Sequence, residues 1–178
     1  MTGKFILLTL LVAAAALAAP KRYEYDLSHS TVGFEAQYMT ISEVPGVFTN
    51  FSGPVQWDDA APVSCELDVT VRMASLDTRE RSRDRYLSGV DFFDTERFPE
   101  ARFKLRLKKA LGEGRYEAVG ELTIRDKTVP VPFTLEVSGE KVHPKNGRVV
   151  RAFKGSFAVN RKDFGIGPTV PPVFIGDQ

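Results

Sequence analysis

Apolar side chains recur at every second residue through most of this chain, which is the spacing of β-strands that bury one face. The pattern is clear over 102–108, where Phe103, Leu105 and Leu107 alternate with arginines and lysines. Similar runs cover residues 32–38, 51–57, 65–73, 116–124, 129–137 and 153–159. The alternation predicts seven or eight strands, each with one apolar face and one polar face.

Turn-forming residues separate these runs, at Asp58-Asp59, Gly112-Glu113-Gly114, Asp126-Lys127 and Asn146-Gly147. A sheet of about eight strands tends to curl and close, so the predicted fold is an all-β antiparallel barrel. Its inner face would carry aromatic residues with small glycines between them. A barrel of this size is either just filled by its own side chains or holds one small ligand.

The segment 76–103 interrupts the strand pattern with a helix-like stretch. Asp77 or Thr78 is predicted to cap this helix, and the Ser88-Gly89 pair is predicted to end it. A short apolar wedge follows, formed by Val90, Phe92 and Phe93. Helix and wedge are expected to lie across one end of the sheet. They act there either as a lid or as a surface crossover whose phenylalanines fill the core.

Residues 1–18 have the features of a secretory signal peptide. Lys4 precedes an apolar run over 5–17, which is too short to predict a membrane span, and Ala16-Leu17-Ala18 fits the small-x-small cleavage pattern. Cleavage after Ala18 would leave a single domain over 19–178. We therefore expect a periplasmic or secreted protein.

The charge balance of the mature chain argues against some partners. Lys4 is the only charged residue in 1–18, so the remainder has 23 basic and 23 acidic residues. A net charge of zero disfavours nucleic-acid binding and a polybasic membrane anchor. Cys65 is the only cysteine and lies in phase with Leu67 and Val69, so we expect a small buried hydrophobe and a fold without disulfides.

Few residues suggest catalysis or metal binding. His29 is interpreted as a loop residue that forms hydrogen bonds, and His143 as solvated, because neither lies in a motif for a triad or a metal. Asp91, Asp94 and Glu96 lack the ligand spacing of a calcium loop and are assigned capping or surface roles. No cofactor is expected, and the protein is not expected to be an enzyme.

Two arrangements of arginine remain open. Arg79, Arg81, Arg83 and Arg85 form either a solvated helix face or a site for an anionic head group. Arg161 has the same parity as Phe157 and Val159, so it is predicted to point inward. A buried arginine needs a counter-charge, either Asp163 or the anion of a ligand.

Five segments in this order resemble the YceI-like family of exported polyisoprenoid-binding proteins. They are YDLSHSTVGF at 25–34, VPGVFTNFSG at 44–53, SLDTRERSRDRYLSGVDFFDTERFPEARF at 75–103, VGELTIRDKTVPVPF at 119–133 and FAVNRKDFGIG at 157–167. The resemblance covers nearly all of 25–166. It implies an antiparallel lipocalin-like β-barrel of about eight strands, with the helical insert across one end.

The resemblance also implies a function. The barrel pore would hold an isoprenoid lipid, such as a polyprenyl phosphate or a quinone tail, as a carrier or buffer without covalent chemistry. The implied ligand-binding positions are Phe34, Tyr38, Phe48, Tyr86, Phe92, Phe93, Phe103, Leu122, Phe133, Phe157 and Arg161. Phe92 and Phe93 would close one end, while Arg161 and the arginine-rich helix would contact the head group.

This chain departs from the family pattern in three places. Tyr38 and Tyr86 stand where histidine is frequent, which removes groups that titrate near neutral pH. Asp126 occupies a turn position where glycine is common. After Gly167 the chain runs PTVPPVFIGDQ where family members usually continue into a closing strand, which predicts either a barrel open at one seam or a sequence that is a fragment.

Two other functions are compatible with the residues. One is a filled barrel that serves as a structural or protein-interaction domain, and the other is an enzyme that acts on prenyl lipids. A lipid carrier would also be expected to contact a membrane transiently. The sequence leaves open whether two barrels form a homodimer.

Overall fold

The computed structural model describes residues 20–178, so the predicted signal peptide over 1–18 lies outside the described part. The main antiparallel sheet contains eight strands: β1 (Lys21–Tyr23), β4 (Phe51–Ser52), β5 (Val55–Trp57), β6 (Glu66–Arg72), β8 (Glu100–Gly112), β9 (Arg115–Ile124), β10 (Lys127–Val137) and β13 (Phe153–Lys154). A three-stranded sheet contains β2 (Val32–Tyr38), β3 (Ser42–Phe48) and β7 (Leu76–Asp77). A separate small hairpin pairs β11 (Lys141–Val142) with β12 (Val149–Val150).

The main sheet follows the order β1-β5-β6-β8-β9-β10-β13, with β4 paired to the far end of β6. Along its long central strands, buried and exposed side chains alternate as the sequence predicts. On β10, Val131, Leu135 and Val137 are buried, whereas Pro132 and Thr134 are exposed. The protein is mostly β, with a curled antiparallel sheet and one short helix, so the predicted fold class is confirmed.

Two of the predicted strand runs are shorter in the structure. The run over 51–57 divides at Gly53, which has φ +145° and lies so close to the Asp68 carbonyl that a Cβ would be 2.2 Å from that oxygen. Only glycine fits that approach. The run over 153–159 is paired only at Phe153 and Lys154. The sheet is therefore curled without a continuous backbone ladder between β1 and β13 in the described residues.

Strand β3 was not predicted, because Pro45 and Gly46 interrupt its alternation. In the structure Gly46 lies opposite Phe34 on β2, and a Cβ at Gly46 would be only 2.5 Å from the Phe34 ring. The ring occupies the volume that a side chain at residue 46 would need. Gly46 thus serves packing rather than a turn.

The buried residues form two clusters on the concave side. The upper cluster lies at the helical end and contains Phe51, Val71, Met73, Leu76, Phe92, Phe93, Ala101, Phe164 and Ile166. The lower cluster contains Trp57, Leu105, Leu107, Ala118, Leu135 and Val137. The two clusters lie along the same strands, since β8 contributes Ala101 to the upper cluster and Leu105 and Leu107 to the lower one.

Helix α1 (Arg81–Ser88) is capped by Glu80, so the predicted cap at Asp77 or Thr78 is wrong. Asp77 instead accepts a hydrogen bond from the N–H of Arg79, whose φ of +65° turns the chain before the helix. Thr78 donates its hydroxyl to Asp84, at 2.6 Å. The predicted end of the helix is confirmed, because Ser88 is its last residue and Gly89 follows as the C-cap.

Replacing Glu80 with glutamine is expected to lower the melting temperature at neutral pH. Hydrogen bonds from the Ser82 hydroxyl and from the N–H groups of Ser82 and Arg83 lower the pKa of Glu80 from 4.5 to about 2. The carboxylate therefore stabilises the fold above pH 4.5, and this contribution is lost as the pH falls through about 2. In thermal melts, the melting temperatures of wild type and Glu80→Gln should converge as the pH falls over that range. Glu96→Gln, at an exposed site, should change the melting temperature little at any of these pH values.

Candidate functional site

A row of apolar side chains crosses four strands of the main sheet on its concave face. Backbone pairing aligns Val69 of β6 with Phe103 of β8, Phe103 with Leu122 of β9, and Leu122 with Val129 of β10. All four residues are only partly buried. We call these four residues the middle row.

The rows on both sides of the middle row combine buried residues with partly buried ones. Toward the upper cluster, Val71 and Ala101 are buried and Ile124 is partly buried. Toward the lower cluster, Leu105, Gly120 and Val131 are buried and Leu67 is partly buried. In a filled core the central row would be the most buried, because both of its neighbours exclude water. All four residues of the middle row are partly exposed, and this apolar row is compatible with an apolar channel across the sheet.

Three glycines leave room next to the backbone for three aromatic rings on the concave side. A Cβ at Gly120 would be 2.1 Å from the Phe103 ring, and one at Gly155 would be 2.5 Å from the Phe133 ring. Phe34 lies over Gly46 in the same way. Each ring therefore lies close against the backbone, in volume that a side chain at the facing glycine would need.

The aromatic residues form two groups around the middle row. Phe103, Phe133 and Phe157 lie with ring centroids 5.4–5.9 Å apart, and Phe103 stacks on Phe157 with an interplanar angle of 13°. The Phe157 residue is still 39% exposed. The second group contains Phe34, Phe48 and Phe93, with centroids 6.0–6.1 Å apart. Seven of the predicted binding positions thus lie on or beside one face, including Leu122 of the middle row.

Arg161 is partly buried, and its guanidinium donates to backbone carbonyls of its own chain rather than pointing into open space. Its five N–H groups donate to the carbonyls of Gly176, Ile166, Gly167, Val170 and Ile175. Asp177 is its counter-charge, at 3.0 Å, so the predicted pairing with Asp163 is wrong. The reason is the C-terminal segment, which folds back over the start of the turn of 3₁₀ helix at Arg161–Phe164. A head-group contact by Arg161 stays a prediction.

Residues 23–178 match the model of the YceI-like domain. This chain belongs to the YceI-like family. A UPF0312 protein of Photorhabdus laumondii is 36% identical over 164 residues, which cover 92% of this chain and 84% of that protein. A UPF0312 protein of Pseudomonas putida is 32% identical over 160 residues, covering 89% of this chain and 83% of that protein. The family resemblance seen in the five sequence segments is confirmed.

Solved structures agree with the YceI-like fold. The Campylobacter jejuni YceI protein superposes with a TM-score of 0.68 and 27% identity, covering 86% of this chain and 89% of that one. Burkholderia cenocepacia BcnA gives a TM-score of 0.76 with 24% identity, covering 85% and 92%. A polyisoprenoid binding domain from Saccharophagus degradans gives 0.59 with 14% identity, covering 82% and 81%. These likenesses support the same barrel-like architecture.

The remaining predicted site residues of this YceI-like chain lie away from the middle row. Tyr38 is exposed at the end of β2, where it bridges to Ile175. Tyr86 is 58% exposed on α1, with its ring 4.7 Å from that of Phe92. Phe92 is buried in the upper cluster, where it and Phe93 of the second aromatic group fill that end. Their burial fits a crossover that fills the core as well as it fits a lid.

Val69 and Val129 are middle-row residues that the sequence analysis did not assign to the site. Both lie in predicted strands at inward parity, but only the pairing register shows that they align with Phe103 and Leu122. Arg125 was also missed. It carries the positive φ of the β9–β10 turn, 57°, and donates to the carbonyls of Phe92 and Gly165, so it fastens the wedge to the C-terminal part of the chain.

The arginines near α1 separate into two kinds. Arg83 donates to the hydroxyl and carbonyl oxygens of Thr78, so it has a structural role. Arg79, Arg81 and Arg85 are exposed, and their contact with a head group stays a prediction. Within residues 20–178 no cluster of acidic, histidine or cysteine side chains has the arrangement of a metal site. No helix in that range is long and apolar enough to cross a membrane.

Proposed function

We propose that this protein binds the hydrocarbon chain of an isoprenoid lipid along the middle row. The single observation that carries the proposal is the partial exposure of Val69, Phe103, Leu122 and Val129 between two buried clusters. Membership of the YceI-like family supports it. So does the fold shared with a polyisoprenoid binding domain from Saccharophagus degradans.

The proposed interaction is noncovalent, because the side chains of the middle row are hydrocarbon throughout. Each CH₂ group moved from water onto this face gains about 0.8 kcal/mol. A lipid that starts in a bilayer is already in an apolar medium, so transfer from a membrane gains little from hydrophobicity alone. Selectivity must then depend on the fit of chain length and on contacts near the ends of the channel.

We also propose that the protein acts outside the cytoplasm as a carrier or buffer. The predicted signal peptide over 1–18 supports this, with cleavage after Ala18. The intact mass of the protein from a periplasmic extract tests it directly. The mass of a chain that begins at Ala19 fits the proposal, and the mass of the uncleaved chain contradicts it.

Val129→Trp is expected to weaken binding of a prenyl alcohol roughly tenfold, as loss of two CH₂ contacts would do. The indole would occupy the channel where Val129 lies beside Leu122. Native mass spectrometry of detergent-free protein mixed with geranylgeraniol measures the bound fraction. Thr134→Trp is the matched control, because it lies on the exposed face of the same strand.

A filled barrel would give the opposite pattern. If the middle row were packed, Val129→Trp would lower the free energy of unfolding by about 1–3 kcal/mol through overpacking, and wild type would bind no prenyl alcohol. Urea unfolding of both variants separates the outcomes. Unchanged stability with lost binding supports the channel, whereas lost stability with no binding by wild type contradicts it.

A further inference from the structure

The tip of the β2–β3 hairpin presents apolar side chains to solvent. Its turn consists of Met39, Thr40 and Ile41, and Ile41 is 81% exposed. The C-terminal segment lies beside it, because the N–H of Met39 donates to the carbonyl of Phe174 at 3.0 Å. Phe174 is itself 51% exposed. We call the exposed apolar residues here the tip patch: Tyr38, Met39, Ile41, Val173 and Phe174.

The backbone angles of this turn are energetically unfavourable for the residues that occupy it. Met39 and Thr40 have φ values of 49° and 61°, and the N–H of Ile41 donates to the Tyr38 carbonyl. Two successive positive φ angles favour Asn-Gly in a hairpin and disfavour a β-branched residue such as threonine. Stability alone would place polar residues here, so the apolar residues point to a role at the surface.

The chemistry of the tip patch fits a lipid bilayer. Residues 38–41 are YMTI and residues 170–175 are VPPVFI, and neither segment contains a charge. Short loops with aliphatic side chains and a tyrosine can insert at a membrane interface. A stable protein partner would instead need a broader face with a polar rim.

The hairpin joins the tip patch to the candidate site. Phe34, Ala36 and Tyr38 share one face of β2, and Val44 and Gly46 lie opposite Ala36 and Phe34 on β3. This apolar track leads from the tip to the aromatic group of Phe34, Phe48 and Phe93. None of these track residues carries a charge, so the track offers a hydrocarbon chain apolar contacts from the tip inward.

We propose that the tip patch docks the protein onto a lipid bilayer, and that the hairpin track leads the prenyl chain toward the middle row. This inference rests on the proposed function and adds the place where the lipid is collected. Because the patch is uncharged, docking should not depend on anionic lipid or on ionic strength.

The experiment is flotation with phosphatidylcholine vesicles, with and without phosphatidylglycerol, at low and high salt. Wild type should float with both kinds of vesicle, and Ile41→Ser with Phe174→Ser should lower the partition coefficient roughly tenfold. Val90→Ser with Val142→Ser is the matched control, since both residues are similarly exposed and lie outside the patch. A second variant, Met39→Asn with Thr40→Gly, should raise the melting temperature and still weaken flotation.

Three results would overturn the docking proposal. The first is that wild type does not float with either kind of vesicle. The second is that the tip variants float as well as wild type. The third is that flotation requires phosphatidylglycerol and is lost at high salt. The first result together with a soluble protein complex would assign the patch to a protein partner instead. Uptake of geranylgeraniol added without vesicles distinguishes this failure from failure of the proposed function. The tip variants should keep that uptake, and its absence in wild type would contradict lipid binding while leaving docking intact.

Discussion

Replacing Arg151 with methionine is expected to lower the free energy of unfolding by about 2–3 kcal/mol. The Arg151 side chain is 4% exposed and donates two hydrogen bonds to the Asp59 carboxylate, at 2.6 and 2.7 Å. It also lies 3.8 Å from Glu140 and 5.6 Å from the centre of the Trp57 ring. The expected loss is below that of a fully buried pair, because Asp59 regains water once the arginine is gone.

Arg151 has this effect because of its place at the seam of the sheet. Asp59 follows β5, next to the edge strand β1, whereas Arg151 shortly precedes the edge strand β13 and Glu140 follows β10, the neighbour of β13. Rings also cross this seam, with Phe153 5.4 Å from Trp57 and 6.3 Å from Tyr23. Side chains thus hold together two edges that the backbone ladder leaves unpaired.

The same variant should change how stability depends on pH. The hydrogen bond from Arg151, followed by that from Trp57, lowers the pKa of Asp59. A lowered native pKa stabilises the fold above the ordinary carboxyl value, and the contribution is lost as pH falls through the native pKa. In urea-unfolding measurements, the free energy of unfolding of Arg151→Met should therefore fall less steeply than that of wild type as the pH is lowered. Arg148→Met, at an exposed position on the other side of β12, should match wild type. Equal acid sensitivity of Arg151→Met and wild type would contradict the proposed seam.

The sequence predicted the elements that depend on local periodicity. Alternation placed β2, β6, β8, β9 and β10, because each of these strands buries one face against the concave side. It placed Phe103, Leu122 and Phe133 on that face for the same reason. Ser88-Gly89 marked the end of α1, since a helix-terminating residue acts locally.

Features that depend on contacts between distant residues could not be predicted in this way. Gly46 interrupts the pattern of β3 because the Phe34 ring fills its place. Glu80 caps α1 because Arg79 turns the chain, so a backbone angle decides between neighbouring cap residues. Asp177 pairs with Arg161 because the C-terminal segment folds back, which no spacing in the sequence reveals. In each case the partner is distant in the chain or is set by a conformation that parity does not encode.

Replacing Arg161 with methionine is expected to lower the free energy of unfolding by about 3 kcal/mol and to release the C-terminal segment. Five backbone carbonyls between Ile166 and Gly176 accept hydrogen bonds from this one guanidinium, and several would lose their only charged donor. Lysine cannot replace it, because an ammonium group lacks the planar fork. Hydrogen exchange should show faster exchange at Ile166, Gly167 and Gly176 in Arg161→Met. Lys162→Met, which removes only an exposed pair with Asp177, should leave these amides protected.

The Arg161 variants also separate a structural clamp from a head-group contact. A clamp acts through the C-terminal segment, which holds Phe174 beside Met39 at the tip. Arg161→Lys should then weaken uptake of geranylgeraniol and of its phosphate from vesicles by the same factor. A head-group contact would weaken the phosphate alone, because only that lipid offers an anion to the guanidinium. Since all five donors already bind the chain, we expect equal losses, and a loss confined to the phosphate would assign Arg161 to the lipid.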